Sequence, residues 1–335
     1  MPHSRYKMPI RKGRFFCYLC ASQKPNDMKI VFLDAATMGD TPMTGIAEQG
    51  EFICYPDCSR EESLSRCGDC EVVIVNKVRV DSVFLDHAPK LWLVCEAGTG
   101  INNIDVDECS RRNVLVRNVA GYSTDSVAQC AFMHILNLMG NAFYYDSYVR
   151  NGEYSKGKIH TDPSNPFIES TGKTLGIVGM GAIGQKVASI GKAFGMRVIY
   201  YSTSGTSHCT EYPSVSLEQL LGESDAISIH APYNERTAGL IGYEQMKLMK
   251  KSAVLVNTGR GGIEVEADLA RALDEGLFKG AAIDVFEKEP LPADSPLLHM
   301  QHPERIIFSP HIAWTTHEAR QRLADEMAEN IRKGW

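Results

Sequence analysis

The most restrictive feature of the sequence is the stretch LGIVGMGAIGQKVASIGKAFGMRVIYY at residues 175–201. A short apolar run precedes a glycine-rich turn, and a segment with helical apolar spacing and a second apolar run follow it. In such a unit, Gly179 allows a tight turn, Gly181 lets the backbone approach a pyrophosphate, and Gly184 lets the helix pack closely on the strand. The stretch therefore predicts a parallel α/β sheet that binds a dinucleotide, with the pyrophosphate at the helix N-terminus.

The second apolar run ends at Ser202, Thr203 and Ser204, where dinucleotide-binding sheets usually carry an acidic residue for the adenosine ribose. Hydroxyl groups can donate hydrogen bonds to a free ribose or to a 2′-phosphate. However, the sequence has no Lys or Arg between Arg197 and Arg236 to pair with that phosphate. We therefore expect NAD(H) to be slightly favoured as the cofactor, with NADP(H) as the alternative.

Short β-rich runs alternate with amphipathic segments along most of the chain, which is typical of parallel strands joined by crossover helices. The runs form two series and predict an α/β protein with two Rossmann-like or flavodoxin-like parallel-sheet domains and a ligand site in the cleft between them. The first series is KIVFLDA, EFICYP, EVVIVN, LWLVCEAG and VLVRNV; the second is TLGIVGMG, MRVIYYS, AISIHAP, AVLVNTG, GAAIDVF and RIIFSPH.

Two predicted helices decide where the domains begin and end. The segment after Ser123 has a capping residue followed by apolar residues at helical spacing, and we expect it to bridge the domains. A second helix, at 318–331, is too short to form a domain by itself. We expect it to fold back on the first domain. We predict a dinucleotide-binding domain at 121–310 and a discontinuous substrate domain at 28–120 plus 311–335.

Charge and composition exclude several classes of protein. Residues 1–27 carry six Lys and Arg residues and one acidic residue, and they lack the apolar core of a secretory signal, so we expect a basic, disordered extension. The rest of the chain is acidic, which is unsuited to nucleic acid. No apolar run approaches the roughly 18 residues of a membrane span. These features favour a cytoplasmic protein that binds neither nucleic acid nor membrane.

Ten cysteines, including the pairs Cys17-x-x-Cys20 and Cys67-x-x-Cys70, raise the question of a zinc site. The two pairs lie far apart in sequence, and the second falls between a predicted helix end and a buried strand. Reduced thiols, several of them in the core, are the simpler interpretation. We expect no metal.

Three predicted strand ends carry residues suited to one reaction: Arg260 in VLVNTGRGG, Glu289 in DVFEKEP and His311 in IIFSPHIAW. Open α/β sheets bind their ligands at the carboxyl ends of the strands. An arginine fork can hold a carboxylate and polarise the adjacent carbonyl. A histidine can exchange a proton near neutral pH while a carboxylate fixes its tautomer. Each residue alone could be structural, but the set predicts hydride transfer to a 2-oxo acid.

Over residues 28–331 the chain resembles the D-isomer-specific 2-hydroxyacid dehydrogenase family. The matching motifs, in the family's order, are GMGAIG, HAPYNERTAGLI, NTGRGG, AAIDVFEKEP and SPHIAW. The resemblance implies that Arg260 binds the substrate and that Glu289 pairs with His311, the acid/base. It places Asp284 near the nicotinamide carboxamide. The implied cofactor-binding residues are Gly179, Gly181, Ala182, Ile183, Gly184, Ser202, Thr203, Ser204, His230, Ala231, Pro232, Thr258 and Asp284.

The first series of strands resembles the substrate side of that family through CEAGTGINNIDV and IVNKVRV. Backbone N–H groups of a glycine-rich loop would meet the substrate carboxylate there. The implied substrate-binding residues are Asn76, Lys77, Gly98, Thr99, Gly100 and Trp314. The chain departs from the family pattern at Glu96, where many members carry Arg, and at Ser202, where NAD-dependent members carry Asp.

Within the family, EAGTGINNID, AGYSTDSVAQ and PHIAW are most similar to the glycerate dehydrogenase, or hydroxypyruvate reductase, group. This implies interconversion of hydroxypyruvate and D-glycerate, or of glyoxylate and glycolate, by a homodimer. A D-lactate-type dehydrogenase is an alternative. A dinucleotide-sensing regulator would need no acid/base set, and a formate dehydrogenase would need no general acid, so the presence of Glu289 and His311 argues against both.

Overall fold

The computed structural model describes residues 28–206 and 209–333, so the predictions for residues 1–27, including the Cys17–Cys20 pair, lie outside the described residues. The strands are β1 (Lys29–Phe32), β2 (Glu51–Cys54), β3 (Val72–Val75), β4 (Leu93–Glu96), β5 (Leu115–Arg117), β6 (Thr174–Val178), β7 (Arg197–Tyr201), β8 (Ala226–Ile229), β9 (Val254–Asn257), β10 (Gly280–Ile283) and β11 (Ile306–Phe308). Each lies within one of the predicted β-rich runs.

Helices separate most of the strands, as the sequence predicts, although α5, α6 and α7 follow one another between β5 and β6, and only short 3-10 helices lie between β10 and β11. They are α1 (Thr44–Ala47), α2 (Arg60–Arg66), α3 (Ser82–Asp86), α4 (Val106–Arg111), α5 (Thr124–Met139), α6 (Ala142–Arg150), α7 (Glu153–Lys156), α8 (Ala182–Ala193), α9 (Leu217–Glu223), α10 (Tyr243–Met246), α11 (Glu266–Asp274) and α12 (His317–Lys333).

The first five strands form one parallel sheet in the order β2-β1-β3-β4-β5. This is the flavodoxin-like order, in which the chain changes direction between β1 and β3. All four residues of β3 are buried and apolar, as expected for a parallel strand that is covered on both faces. The carboxyl ends of β1 and β3, where such sheets bind ligands, are therefore adjacent.

The remaining strands form a second parallel sheet in the order β11-β10-β9-β8-β6-β7. Strand β6 pairs with β7 on one side and β8 on the other, so the chain changes direction at β6. The glycine-rich turn follows β6 directly and lies at this switch point, where doubly wound sheets bind nucleotides. The predicted α/β fold with two parallel sheets is confirmed.

Each of two long helices, α5 and α12, packs against one of the two sheets. Helix α5 buries Phe132 in a core cluster with strands of the second sheet. Helix α12 buries Leu323 in a cluster with strands of the first sheet, so the end of the chain returns to the first sheet. The domain boundaries, 121–310 and 28–120 plus 311–335, stay a prediction.

Two expectations from composition concern the membrane and the cysteines. Across the described ranges, none of the helices is both long and apolar enough to span a bilayer. The buried Cys67 and Cys70 thiols donate hydrogen bonds to the carbonyls of Leu64 and Cys67. Burial raises the pKa of Cys67 to about 11 and that of Cys70 to about 12, so both thiols stay protonated at neutral pH. The cytoplasmic location stays a prediction.

Candidate active site

The glycine-rich turn joins β6 to α8, and its three glycines meet different neighbours. Gly179 has φ +93°, and a Cβ there would lie 2.8 Å from the backbone nitrogen of Ala231. A Cβ on Gly184 would lie 2.3 Å from the carbonyl oxygen of Gly179, because helix and strand touch there. By contrast, no described atom lies within 4 Å of the Cβ position of Gly181, the N-cap of α8. Only Gly181 therefore faces open space, beside the amides at the helix start.

Some of the residues around this turn border the open space, and others are packed in the core. Ala182 begins α8 beside the open space, and its backbone N–H is one of those without a partner inside the helix. The side chain of Ile183 packs against core clusters, and Ala231 is buried beneath Gly179. Ile183 and Ala231 can therefore support the turn, and contact between Ile183 and a cofactor would be through its backbone.

A cavity of about 650 Å³ extends from the turn to the end of β7. Seven of the predicted cofactor residues line it: Gly179, Gly181, Ser202, Thr203, Ser204, His230 and Pro232. Arg236 also lines the cavity, and its Nη1 donates a hydrogen bond to the carbonyl of Ser204 at 2.9 Å. The sequence prediction had not placed Arg236 at this site. It lies in the motif HAPYNERTAGLI, but no local pattern indicates a contact with a residue 32 positions away.

Two buried polar atoms, one in the residue after β8 and one in the residue after β9, support a bound dinucleotide. His230 Nε2 lies 2.8 Å from Ser228 Oγ, whereas His230 Nδ1 and Thr258 Oγ1 are buried without a hydrogen-bond partner among the described residues. Burial lowers the pKa of His230 to about 3, so the imidazole stays neutral. Since buried polar atoms normally have partners, a ligand with polar groups fits here. With the open space at Gly181, these residues fit a dinucleotide.

The predicted pair of Glu289 and His311 is formed. His311 Nδ1 lies 2.9 Å and 2.8 Å from the two carboxylate oxygens of Glu289. Because a carboxylate only accepts, Nδ1 carries the hydrogen and Nε2 is the nitrogen that can exchange a proton. Burial alone would raise the pKa of Glu289, but the hydrogen bond and charge of His311 lower it below its usual value. Glu289 is therefore ionised at neutral pH.

The turn that presents His311 is held by Asp284 at the end of β10. The Asp284 carboxylate accepts hydrogen bonds from the Ser309 hydroxyl at 2.5 Å and from the amides of Ile312 and Ala313 at 2.9 Å and 3.0 Å. The carbonyl of Asp284 accepts from the His311 amide at 2.8 Å. These contacts stabilise the left-handed φ of +54° at His311. The expected contact of Asp284 with a nicotinamide carboxamide stays a prediction.

Arg260 extends from the turn after β9 towards the first sheet. Asn257 ties this turn together, since its side chain donates to the carbonyl of Arg260 and accepts from the amide of Gly259, each at 2.8 Å. Arg260 Nη2 lies 2.5 Å from the position that a Cβ on Gly100 would occupy. The guanidinium therefore lies against the loop that was predicted to hold the substrate carboxylate.

The segment after β3 is held by Asp34, which the sequence prediction did not single out. The Asp34 carboxylate accepts hydrogen bonds from the amides of Asn76, Lys77 and Val78 at 2.9, 2.6 and 3.1 Å. Lys77 Nζ lies 3.7 Å from Glu289 Oε2, an ion pair between the two sides of the cleft. The only signal in the sequence was that Asp34 follows the first apolar run.

The glycine-rich loop after β4, at residues 98–100, is held by contacts with the protein interior. The Thr99 hydroxyl donates to the carbonyl of Val119 at 2.9 Å, which turns this side chain into the protein. Gly98 lies above Glu96, which is 2% exposed and accepts a hydrogen bond from Asn103 at 3.0 Å. Burial raises the pKa of Glu96 to about 8, so this carboxyl is largely protonated at neutral pH.

Trp314 follows the His311 turn and is partly buried. Its ring meets Tyr122 edge-on, with 6.2 Å between the centroids, and it packs against Val127 and Cys130 of α5. That a face of Trp314 walls the substrate pocket stays a prediction.

Comparison with known proteins agrees with this geometry. The family model for the NAD binding domain of D-isomer specific 2-hydroxyacid dehydrogenases matches residues 132–313. A glyoxylate reductase from Korarchaeum cryptofilum is 39% identical over 82% of this chain and 82% of its own length. A hydroxypyruvate reductase from Blautia hydrogenotrophica is 33% identical over 91% of this chain and 96% of its own length.

Among solved structures, the D-lactate dehydrogenase from Aquifex aeolicus, complexed with NAD and lactic acid, matches with a TM-score of 0.79. It is 28% identical, and the match covers 90% of this chain and 94% of that chain. Fold and site define an oxidoreductase that uses a nicotinamide dinucleotide. The chain belongs to the D-isomer-specific 2-hydroxyacid dehydrogenase family, which confirms the predicted family and enzyme class.

Proposed function

We propose that the protein reduces hydroxypyruvate to D-glycerate, with glyoxylate as a second substrate. The observation that carries this proposal is the contact of His311 Nδ1 with Glu289 at 2.8 Å, and Arg260, which lies beside Gly100, supplies the cation. Related proteins named hydroxypyruvate reductase and glyoxylate reductase support the choice of substrates.

Arg260, His311 and Glu289 have separate roles in the reduction of a 2-oxo acid. A reduced nicotinamide dinucleotide, when bound along the cavity, would supply the hydride that the carbonyl carbon needs. The Arg260 fork holds the substrate carboxylate together with backbone N–H groups of residues 98–100, and it polarises the carbonyl. His311 Nε2 gives its proton to the carbonyl oxygen as negative charge develops there. Glu289, held ionised by His311, stabilises the imidazolium before that transfer and keeps the ring in the orientation that faces the substrate.

The group on the carbonyl carbon distinguishes the candidate 2-oxo acids: it is a hydroxymethyl group in hydroxypyruvate, a methyl group in pyruvate and a hydrogen in glyoxylate. We propose that the Lys77 ammonium, which lies at the cleft beside Glu289, favours a substrate that can accept a hydrogen bond through a hydroxymethyl group. Hydroxypyruvate has this group, whereas pyruvate has a methyl group. A D-lactate-type activity is therefore the alternative that a comparison of these two substrates separates.

We further propose that two copies of the chain associate through residues 142–167, a segment that lies between the strands of the first sheet and those of the second in sequence. None of the residues of α6 is buried, and the apolar side chains of Phe143 and Val149 on this helix are 58% and 56% exposed. Phe167, shortly after it, is 65% exposed. An apolar surface of this kind is typical of an interface. Light scattering coupled to size exclusion tests it, and a monomer at micromolar concentration would contradict the dimer.

The function is tested by measuring oxidation of NADH and of NADPH with a panel of hydroxypyruvate, glyoxylate and pyruvate, followed by chiral analysis of the product. We expect turnover with hydroxypyruvate and a D-configured product. An L-configured product or no oxidation with any acid of the panel would sink the proposal. Cofactor-dependent capture of a partner protein without turnover would instead indicate a regulator.

A further inference from the structure

Arg236 lies at the end of the cavity where β7 gives way to Ser202 and Ser204. Its Nη1 donates to the carbonyl of Ser204 at 2.9 Å, and all three residues line the cavity. Among the lining residues that the structure describes, Arg236 has the only Lys or Arg side chain and Glu235 has the only carboxylate. The fold thus brings a cation to the loop that was expected to have none.

The backbone beneath Arg236 is fixed. Its amide donates to Asn234 Oδ1 at 2.9 Å. Thr237, which is fully buried, accepts from the amide of Asn234 at 2.9 Å and donates to the carbonyl of Pro232 at 2.6 Å. The exposed Arg236 side chain therefore extends from a defined position and needs only rotamer changes to reach a ligand beside Ser204.

The opposite side of this site consists of hydroxyl groups. Ser202 and Ser204 both donate to the carbonyl of Thr206, at 2.7 Å and 3.0 Å, and their oxygens lie 3.2 Å apart. Neither carries a charge that would repel an anion. The hydrogen bond of Arg236 to the Ser204 carbonyl is neutral on the acceptor side, and a phosphate in its place would form stronger, charge-assisted bonds with the guanidinium fork.

We propose that Arg236 binds a phosphate on the 2′-oxygen of the adenosine ribose, and that the protein therefore binds NADP(H) more tightly than NAD(H). The Ser202 and Ser204 hydroxyls supply further donors to the same phosphate. This inference rests on the proposed function, since the dinucleotide must lie along the cavity with its adenosine ribose at the end of β7.

The test is isothermal titration calorimetry of the full chain with four probes: NADP⁺, NAD⁺, adenosine 2′,5′-bisphosphate and adenosine 5′-monophosphate. We expect Arg236→Ala to weaken NADP⁺ and the bisphosphate about 10- to 100-fold, the range for a charge-assisted hydrogen bond, and to leave NAD⁺ and the monophosphate nearly unchanged. Arg236→Lys should recover part of the loss, because it keeps the charge but not the fork. Arg271→Ala, which removes an exposed arginine outside the cavity, is the matched control and should change none of the four affinities.

Three results would overturn the inference. If Arg236→Ala weakens NAD⁺ as much as NADP⁺, Arg236 contacts a part that both dinucleotides share. If it weakens neither, Arg236 takes no part in binding, although the proposed function would stand. If the wild-type chain binds neither dinucleotide, the proposed function fails, and this inference fails with it.

Discussion

His311 depends on two carboxylates that act on different parts of the residue. Glu289 accepts from ring atom Nδ1, whereas Asp284 accepts from the backbone around the ring and holds its left-handed conformation. In the proposed reaction, the first contact leaves Nε2 to exchange the proton, and the second fixes where that nitrogen points. Asp284 is therefore a positioning residue through these contacts, while Glu289 also supplies a charge.

We expect the residue at position 202, at the end of β7, to influence whether a 2′-phosphate is tolerated. Ser202→Asp would place a carboxylate beside the ribose, where it accepts hydrogen bonds from ribose hydroxyls and repels a phosphate. We expect kcat/KM with NADPH to fall about tenfold or more, since placing like charges close together costs over about 1.4 kcal/mol, while kcat/KM with NADH changes little. Parallel steady-state assays measure this. Equal losses with both cofactors would show that this position does not contact the ribose.

At the scale of the element, the strand–turn–helix unit uses two glycines for opposite reasons. Gly184 is required inside the protein, where a Cβ would collide with the carbonyl of Gly179. Gly181 is surrounded by open space and has a φ of −77°, which any residue can adopt. The first glycine thus serves packing, whereas we expect the second to serve the approach of a ligand.

This difference predicts separate effects of two matched substitutions. Gly184→Ala should destabilise the fold by about 1–3 kcal/mol, as overpacking in a close contact does. Gly181→Ala should leave the melting temperature unchanged and weaken dinucleotide binding at least tenfold, because its methyl group occupies the space for the pyrophosphate. Thermal unfolding and calorimetry measure the two effects. Unchanged dinucleotide affinity in Gly181→Ala would mean that the pyrophosphate lies elsewhere.

At the scale of the whole molecule, the strands and the order of the chemistry-bearing motifs could be predicted because they are local patterns. Apolar runs and glycine spacing identify β6 and its turn without reference to the rest of the chain. Contacts between distant segments could not be predicted this way. Asp34 holds the Asn76 amide 42 positions away, and Arg236 reaches Ser204 across the cavity. Both contacts depend on strand order. The first joins the ends of the neighbouring strands β1 and β3, and the second joins the ends of β7 and β8, which lie on either side of β6.

Buried carboxyls make the stability of the whole chain depend on pH. Glu264 is 1% exposed and accepts from Asn257, and burial raises its pKa to about 8. The unfolded chain releases this proton near pH 4.3, so between about pH 4.5 and 8 the folded state binds the extra proton and stability falls as pH rises. The loss is at most about 1.4 kcal/mol per pH unit for this group.

We therefore expect Glu264→Gln, which can still accept from Asn257, to flatten the decline in unfolding free energy between pH 5 and 8. Denaturant titrations at several pH values measure it. Glu169→Gln, at an exposed position, is the control and should leave the pH dependence unchanged. A Glu264→Gln profile that runs parallel to the wild type would mean that Glu264 is already ionised in the folded state.

The most direct test of the active site is the turnover of hydroxypyruvate by wild type and His311→Gln, with cofactor affinity measured on the same preparations. His311 Nε2 is the proposed proton donor, and His311 is not among the residues that line the cavity beside the glycine-rich turn. We predict that kcat falls by about 10²- to 10⁴-fold in the variant while the dissociation constants of the dinucleotides stay unchanged. A variant that turns over at the wild-type rate would contradict the assignment of His311 as the acid.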